Sequence, residues 1–269
     1  MPPTLRSAAG SDVGRRRETN QDSAVTSPRM LAVADGMGGH AHGEVASAVA
    51  VAALVDLDQR LRGTDLGEVD LLAALRDAVE DAAARLTALA EQDPDLRGTG
   101  TTVVAMLVDG FRIGVLHLGD SRAYLLRDGE LQRLTHDHTL VQSLVDEGRI
   151  SEEEAAVHPR RSWLVKTLQD SSDPEPDLFP LEGRAGDRYL VCSDGVTAVL
   201  DDAHLREVLA DAAEPEDAVA RLIADANAGG GPDNITCVVA DLHDADPSDD
   251  APSDADDTAL LFGAATEPR

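Results

Sequence analysis

Apolar and polar positions along the chain fall into blocks of two different periods, and the switches between them outline the fold. Short strands are predicted over Leu5 to Asp12, Asp22 to Thr26 and Met30 to Ala34, where apolar residues alternate or run together between turn residues. Helical spacing then takes over. Gly43 to Leu61 is rich in alanine with few polar residues, as in a helix buried on much of its surface. From Asp70 to Ala90 the apolar positions Leu71, Leu75, Val79, Ala82, Leu86 and Leu89 recur at threes and fours, which predicts an amphipathic helix packed antiparallel to the first. After Asp93-Pro94 the period returns to two, and Thr101 to Thr135 reads as four consecutive strands in an antiparallel meander. Residues 136–170 are polar and irregular with two short helices, the second opened by the capping box Ser151-Glu152-Glu153-Glu154. A strand from Asp187 to Ser193, helices near Asp202 to Ala210 and Glu216 to Ala226, and a last strand from Ile235 to Leu242 complete the order. Strands, two helices, strands, two helices, strand predicts an α+β fold in which antiparallel sheets are covered by helix pairs.

From Asp244 on, Asp, Ser, Pro and Ala dominate, the composition of a disordered tail. The expected organisation is therefore a domain over residues 1–242 followed by an acidic disordered tail over 243–269. Charge sharpens this picture. Of the net charge of −28, a net −8 lies from Asp241 onward, so the domain itself is still acidic at −20. Nucleic acid and anionic membrane are excluded as default partners, because a phosphate backbone needs a basic face. Cys192 and Cys237, the two cysteines, both lie in apolar strands and read as reduced core thiols. The first residues lack an apolar secretory region, and the longest apolar helix candidate, Val45 to Val55, is too short to span a bilayer. A cytoplasmic monomer is expected.

The candidate chemistry begins at Met30 to His40, where the strand Met30-Leu31-Ala32-Val33-Ala34 ends in Asp35-Gly36. A second apolar strand, Tyr189 to Cys192, likewise delivers Ser193-Asp194-Gly195. Asp-Gly is also the commonest hairpin turn, and Asp109-Gly110 and Asp128-Gly129 each join two alternating strands in that way. No returning strand follows Asp35-Gly36 or Asp194-Gly195, which favours a functional role for both. Asp120 in Gly119-Asp120-Ser121 and Asp233 in Pro232-Asp233-Asn234 share the same context of turn residue beside apolar strand. Carboxylates of this kind suit hard divalent cations such as Mg²⁺ or Mn²⁺. Two such ions held about 3.5–4 Å apart acidify the water between them, which is hydrolytic chemistry. Upstream, Arg15-Arg16-Arg17 offers guanidinium donors that match phosphate oxygens, although an arginine cluster by itself is more often a solvated turn. His40-Ala41-His42 and His136-Asp137-His138 lack a third zinc ligand and read as polar surface, and Gly98-Thr99-Gly100-Thr101-Thr102 reads as the start of a strand.

Taken in order, the blocks Arg17 to Ser23, Ala34 to Ala46, Gly98 to Thr102, Gly119 to Tyr124, Leu134 to Ile150 with His158-Pro159, Cys192 to Val196 and Asp233 to Thr236 resemble the metal-dependent type 2C serine/threonine protein phosphatases, bacterial branch. The resemblance covers about residues 5–242. It implies a four-layer αββα sandwich of two antiparallel sheets flanked by helix pairs, with a mobile flap at about 135–168. It also implies two Mn²⁺ or Mg²⁺ ions and a weaker third. Asp35 would bridge the pair, the Gly36 carbonyl would bind the second ion, Asp194 and Asp233 would complete the first, and Asp120 with Asp194 would form the third site. Arg17 would hold the phosphate, and Asp22 would act through water and hydrogen bonds. Met37 stands where eukaryotic members carry a histidine thought to protonate the leaving group, and Gln21 replaces a glutamate, which leaves His40 as the nearby candidate acid. The implied activity is hydrolysis of phosphoserine or phosphothreonine by direct attack of a dimetal-bound water, with phosphorylated proteins, Ser/Thr kinases included, as partners. The alternatives are an inactive metal-binding module for phosphoproteins, or a phosphatase of a phosphorylated anti-sigma-factor antagonist.

Overall fold

A computed structural model describes residues 3–38, 42–170, 173–244 and 258–266. Three apolar layers organise it. The middle layer lies between two antiparallel sheets and contains Leu31, Val33, Val104, Met106, Val115, Leu125, Tyr189, Val191 and Val238, all buried. One sheet is ordered β1 (Thr4–Asp12), β12 (Ile235–His243), β11 (Arg188–Cys192), β7 (Arg122–Arg127) and β8 (Glu130–Arg133). The other runs β10 (Asp177–Glu182), β6 (Arg112–Leu118), β5 (Val103–Asp109), β3 (Met30–Met37), β2 (Asp22–Thr26) and β13 (Leu260–Gly263). Two short strands, β4 (Gly100–Thr101) and β9 (Leu168–Gln169), extend β3 at its far end.

Helices close the outer layers. On the larger sheet lie α1 (Gly43–Arg60) and α2 (Leu71–Gln92), with Leu54, Leu57, Leu75, Val79 and Leu86 packed onto Ala32, Ala105 and Leu116. Asp70 caps α2, its carboxylate accepting from the Leu72 and Ala73 amides. On the smaller sheet, α6 (Asp202–Asp211) and α7 (Pro215–Ala228) bury Leu205, Val208 and Leu222 against Leu190 and Val239. The flap carries α3 (Leu140–Asp146) and α4 (Glu152–Ala156), the latter opened by the reciprocal Ser151–Glu154 box, and α5 (Asp194–Thr197) is a single turn after β11. The result is the αββα sandwich. Cys192 and Cys237 are free and buried. Among the described residues no helix is long and apolar enough to cross a membrane.

Two expectations need correction. The strands from Thr101 to Thr135 do not form one meander: β5–β6 and β7–β8 are separate hairpins in different sheets, and the chain crosses between them at Gly119-Asp120-Ser121. The tail is not wholly disordered either. β13 pairs with the β2 edge from Leu260 opposite Thr26 to Gly263 opposite Ser23, Phe262 packs onto the inter-sheet core, and Ala264 is buried. Residues 245–257 lie outside the described residues.

Candidate metal centre

Each candidate acid sits where a strand ends or begins at one edge of the sandwich. Asp35 is near the end of β3 and lies opposite Asp22, the first residue of β2. Asp120 occupies the crossing between sheets, Asp194 begins α5 two residues after β11 ends, and Asp233 lies two residues before β12 begins. Asp35, Asp120, Asp194 and Asp233 all line a cleft of about 300 Å³ together with Arg17, Gln21, Gly36 and Met37. Asp22 lies behind them, 1% exposed. His40 falls outside the described residues.

The two Asp-Gly steps of the site differ physically from the two hairpin turns. Gly110 and Gly129 have φ of +59° and +81°, the left-handed conformation that turns require. Gly36 and Gly195 do not; each instead abuts another backbone segment. A Cβ on Gly36 would stand 2.1 Å from the Gly43 carbonyl oxygen, and one on Gly195 would stand 1.9 Å from that of Asn234. Glycine here lets the β3 end press against the start of α1, and α5 against the loop before β12.

Polar side chains lock the acids in place. The Asp35 amide donates to Thr102 Oγ1 at 3.0 Å, while the Asp35 carbonyl accepts from the Thr102 amide and Thr101 Oγ1, both at 2.9 Å. Ser193 Oγ donates to Asp22 Oδ2 at 2.8 Å, and Asp22 Oδ1 is buried with no hydrogen-bond partner among the described residues. Asn234 staples the Arg17 loop: its Oδ1 accepts from the Gln21 amide, and its Nδ2 donates to the Val13 and Thr19 carbonyls. Arg17 Nη2 donates to Asp233 Oδ2 at 2.7 Å, which engages one of the five guanidinium N–H donors. Half-buried Arg122 is spent on Asp137, with Nη2 at 2.6 Å from Oδ2.

The electrostatics follow from crowding. Burial, then repulsion from Asp194 and Asp233, pushes the Asp22 carboxyl up to about 7 against the pull of hydrogen bonds from Thr236 and Ser193. Burial and repulsion from Asp194 and Asp137 raise Asp120 to about 7 as well. Asp194 rises to about 6, through burial and Asp233, and is close enough to Asp35 to share a hydrogen bond. Asp35 is held well above the carboxylate range by burial and by Asp22, Asp194, Asp120 and Asp233 around it. Carboxylates that cannot all ionise together, beside a buried oxygen with no partner among the described residues, are a donor set short of positive charge. Hard oxygen ligands of this kind fit divalent Mg²⁺ or Mn²⁺.

Sequence reasoning missed several of the residues around the cleft. Ser162 and Leu164 of the flap line it, and Thr102, Ser193, Thr236 and Asn234 fix its acids. The Thr101-Thr102 block was the available signal, since a threonine pair at the start of a strand supplies both hydroxyls to Asp35. The surface reading holds for His136, which is exposed and pairs with Asp146, but not for His138, which is 7% exposed and packs against His117.

The fold and this acid-lined cleft define a class: the chain belongs to the protein phosphatase 2C family, whose profile matches residues 9–227. Among particular proteins, it is 51% identical over 242 residues to the serine/threonine protein phosphatase PstP of Mycobacterium tuberculosis, covering 90% of this chain and 46% of PstP. The chain thus spans just under half the length of that relative. It is 34% identical to the serine/threonine phosphatase stp of Listeria monocytogenes, covering 86% of this chain and 93% of that one. The crystal structure of the PstP catalytic domain in complex with two manganese ions superposes with a TM-score of 0.82 at 49% identity, covering 90% of this chain and all of that one.

Proposed function

We propose that this protein is a metal-dependent phosphoprotein phosphatase that hydrolyses phosphoserine and phosphothreonine. The observation that carries the reading is the convergence of Asp35, Asp120, Asp194 and Asp233 with Arg17 on one cleft. Asp35, the Gly36 carbonyl, Asp194 and Asp233 are the residues to hold a pair of Mn²⁺ or Mg²⁺ ions, with Asp120 and Asp194 for a weaker third. When bound, such ions supply Lewis acidity that acidifies water near neutral pH and offsets the charge of a phosphate. The two manganese ions of the PstP catalytic domain support the choice of metal.

The chain's own groups do the rest. Arg17 stands at the mouth, half-exposed, with guanidinium donors left over to orient phosphate oxygens. Asp22 holds Ser193 and keeps one carboxylate oxygen free to accept a hydrogen bond from water. Ser162 and Leu164 line the flap side of the cleft. Beyond the cleft, a second cavity of about 830 Å³ shares Asp120, Ser162, Asp194 and Asp233 with it and runs under α3 and α4. That cavity gives the peptide around a phosphoresidue somewhere to lie. Phosphorylated proteins, Ser/Thr kinases among them, are the proposed substrates of a cytosolic monomer.

The test is release of phosphate from a phosphothreonine peptide by the purified chain. Release is expected with Mn²⁺, not after chelation, and not from Asp35→Asn with an unchanged circular dichroism spectrum. A folded, Mn²⁺-loaded protein that releases none would overturn the reading.

A further inference from the structure

Between the Asp120 turn and the flap lies a cluster that neither the fold nor the proposed chemistry requires: His117, His138 and Asp177, with ligand atoms within 4.8 Å of one another. Proximity alone suggests a metal site, but proton placement argues against one. His138 Nδ1 accepts from the Gly119 amide at 3.1 Å, so its lone pair is occupied and the neutral ring carries its proton on Nε2. That Nε2 lies 3.1 Å from Asp177 Oδ2. A ring fixed in this tautomer turns an N–H and not a lone pair toward Asp177, close enough for an ion pair though not aligned as a hydrogen bond among the described residues.

What the cluster holds is the turn itself. His138 meets Gly119 twice, its ring accepting from the Gly119 amide and its own amide donating to the Gly119 carbonyl at 2.8 Å. His117, packed against His138 with ring centroids 4.6 Å apart and planes tilted by 35°, donates from Nε2 to the Ser121 carbonyl at 3.0 Å. Gly119 has φ of +112°, and a Cβ there would strike Thr102 at 2.5 Å. Asp120 is thus suspended between two residues whose backbones are gripped by a pair of packed imidazoles. The same histidine also anchors the flap. Its carbonyl accepts from the Val165 amide, Thr139 bridges Leu164, and Asp177 reaches Lys166 Nζ at 3.4 Å. Both legs of the flap and the Asp120 turn therefore meet at one residue, the flap through its backbone and the turn through backbone and ring together.

We propose that His138, facing Asp177, is a positioning residue that couples the flap to the Asp120 turn, so that the placement of Asp120 and the grip of the flap on a phosphopeptide change together. The metal readout of this coupling rests on the reading of Asp120 as a ligand; the backbone readout does not.

Asparagine places an oxygen where His138 Nδ1 stands, and glutamine places a nitrogen near Nε2, so the two substitutions separate the two contacts. In metal-free protein, amide hydrogen exchange at Gly119 is expected to stay near wild type in His138→Asn and to speed up about tenfold in His138→Gln, the effect of losing one buried hydrogen bond. In Mn²⁺ titrations the weakest site is expected to lose about tenfold in affinity in His138→Gln and to be rescued in His138→Asn. Asp177→Ala, at a half-exposed position, is expected to raise KM for a phosphopeptide severalfold while leaving KM for an aryl phosphate unchanged. Faster Gly119 exchange without any third Mn²⁺ in wild type supports the coupling and sinks only the ligand role of Asp120. Wild-type Gly119 exchange in His138→Gln, with nothing altered but melting temperature, makes His138 a packing residue and overturns the proposal.

Discussion

Removing one negative charge from the centre should stabilise the metal-free protein. Asp22 is the clearest case, because its carboxyl is 1% exposed, has one oxygen without a partner among the described residues, and is raised from an ordinary 3.8 to about 7. Between those two values the folded state holds a proton that the unfolded state has released, so stability falls as pH rises through the window from about 4 to 7. A shift of three units corresponds to about 4 kcal/mol, and coupled titration with the neighbouring carboxyls reduces what one substitution recovers to about 2–4 kcal/mol. Asp22→Asn keeps the shape and can still accept from Ser193, so in EDTA at pH 8 the variant should unfold at higher urea with that gain. At pH 4, where wild-type Asp22 is protonated in the folded state, the two should agree within about 1 kcal/mol. Part of the slope persists in the variant, since Asp120 and Asp194 are raised in the same way. Urea unfolding followed by circular dichroism at pH 4, 6 and 8 measures all of this. A variant no more stable than wild type at pH 8, or a metal-free wild type whose stability climbs from pH 5 to 8, would refute the reasoning.

Mn²⁺ binding at pH 6.5 should release protons from the same carboxyls; calorimetry in two buffers of different ionisation enthalpy should report release at pH 6.5 and none at pH 9, and equal heats in both buffers at pH 6.5 would contradict it. Trp163, 55% exposed on the flap with Arg160 stacked 4.3 Å over its ring, should matter for peptides more than for small esters. Trp163→Ala is expected to raise KM for a phosphopeptide about fivefold with no change for an aryl phosphate, and equal losses on both would remove the flap from substrate binding. Deleting residues 258–266 strips β13 from the β2 edge and uncovers Phe262 and Ala264 contacts, at an expected cost of about 2 kcal/mol in urea unfolding; an unchanged midpoint would mean that β13 adds nothing to the sandwich.

Elements whose pattern is local were legible in the sequence. The spacing of Leu71, Leu75, Val79 and Leu86 placed α2, and the contrast between Asp-Gly steps with and without a returning strand separated Asp35 and Asp194 from the turns at Asp109 and Asp128. Pairings between distant segments were not. Nothing in the alternation of Thr101 to Thr135 marks the change of sheet at Gly119, because both hairpins bury one face in the same inter-sheet layer. β10 was missed since an edge strand needs no regular alternation and tolerates Pro180, which faces Gly114 of β6. β13 was hidden by its acidic, proline-bearing surroundings, where four residues suffice once an edge is waiting.

That same blindness explains why the acids could be picked out before their meeting place was known. A strand that ends in Asp-Gly is a local signal; the edge at which Asp35 and Asp194 meet the other acids is set by crossings between the two sheets that the pattern does not record. The gathering opposes stability: burial and mutual repulsion raise Asp22, Asp35, Asp120 and Asp194 together, and breaking up such a cluster with amides or alanines leaves the hydrophobic layers intact. Supporting groups nevertheless converge to hold it, with Thr102 on Asp35, Ser193 on Asp22 and Asn234 on the Arg17 loop. Costly charge held by dedicated hydrogen bonds is the physical signature of a site preorganised for cations, because only bound positive charge turns the repulsion into binding energy.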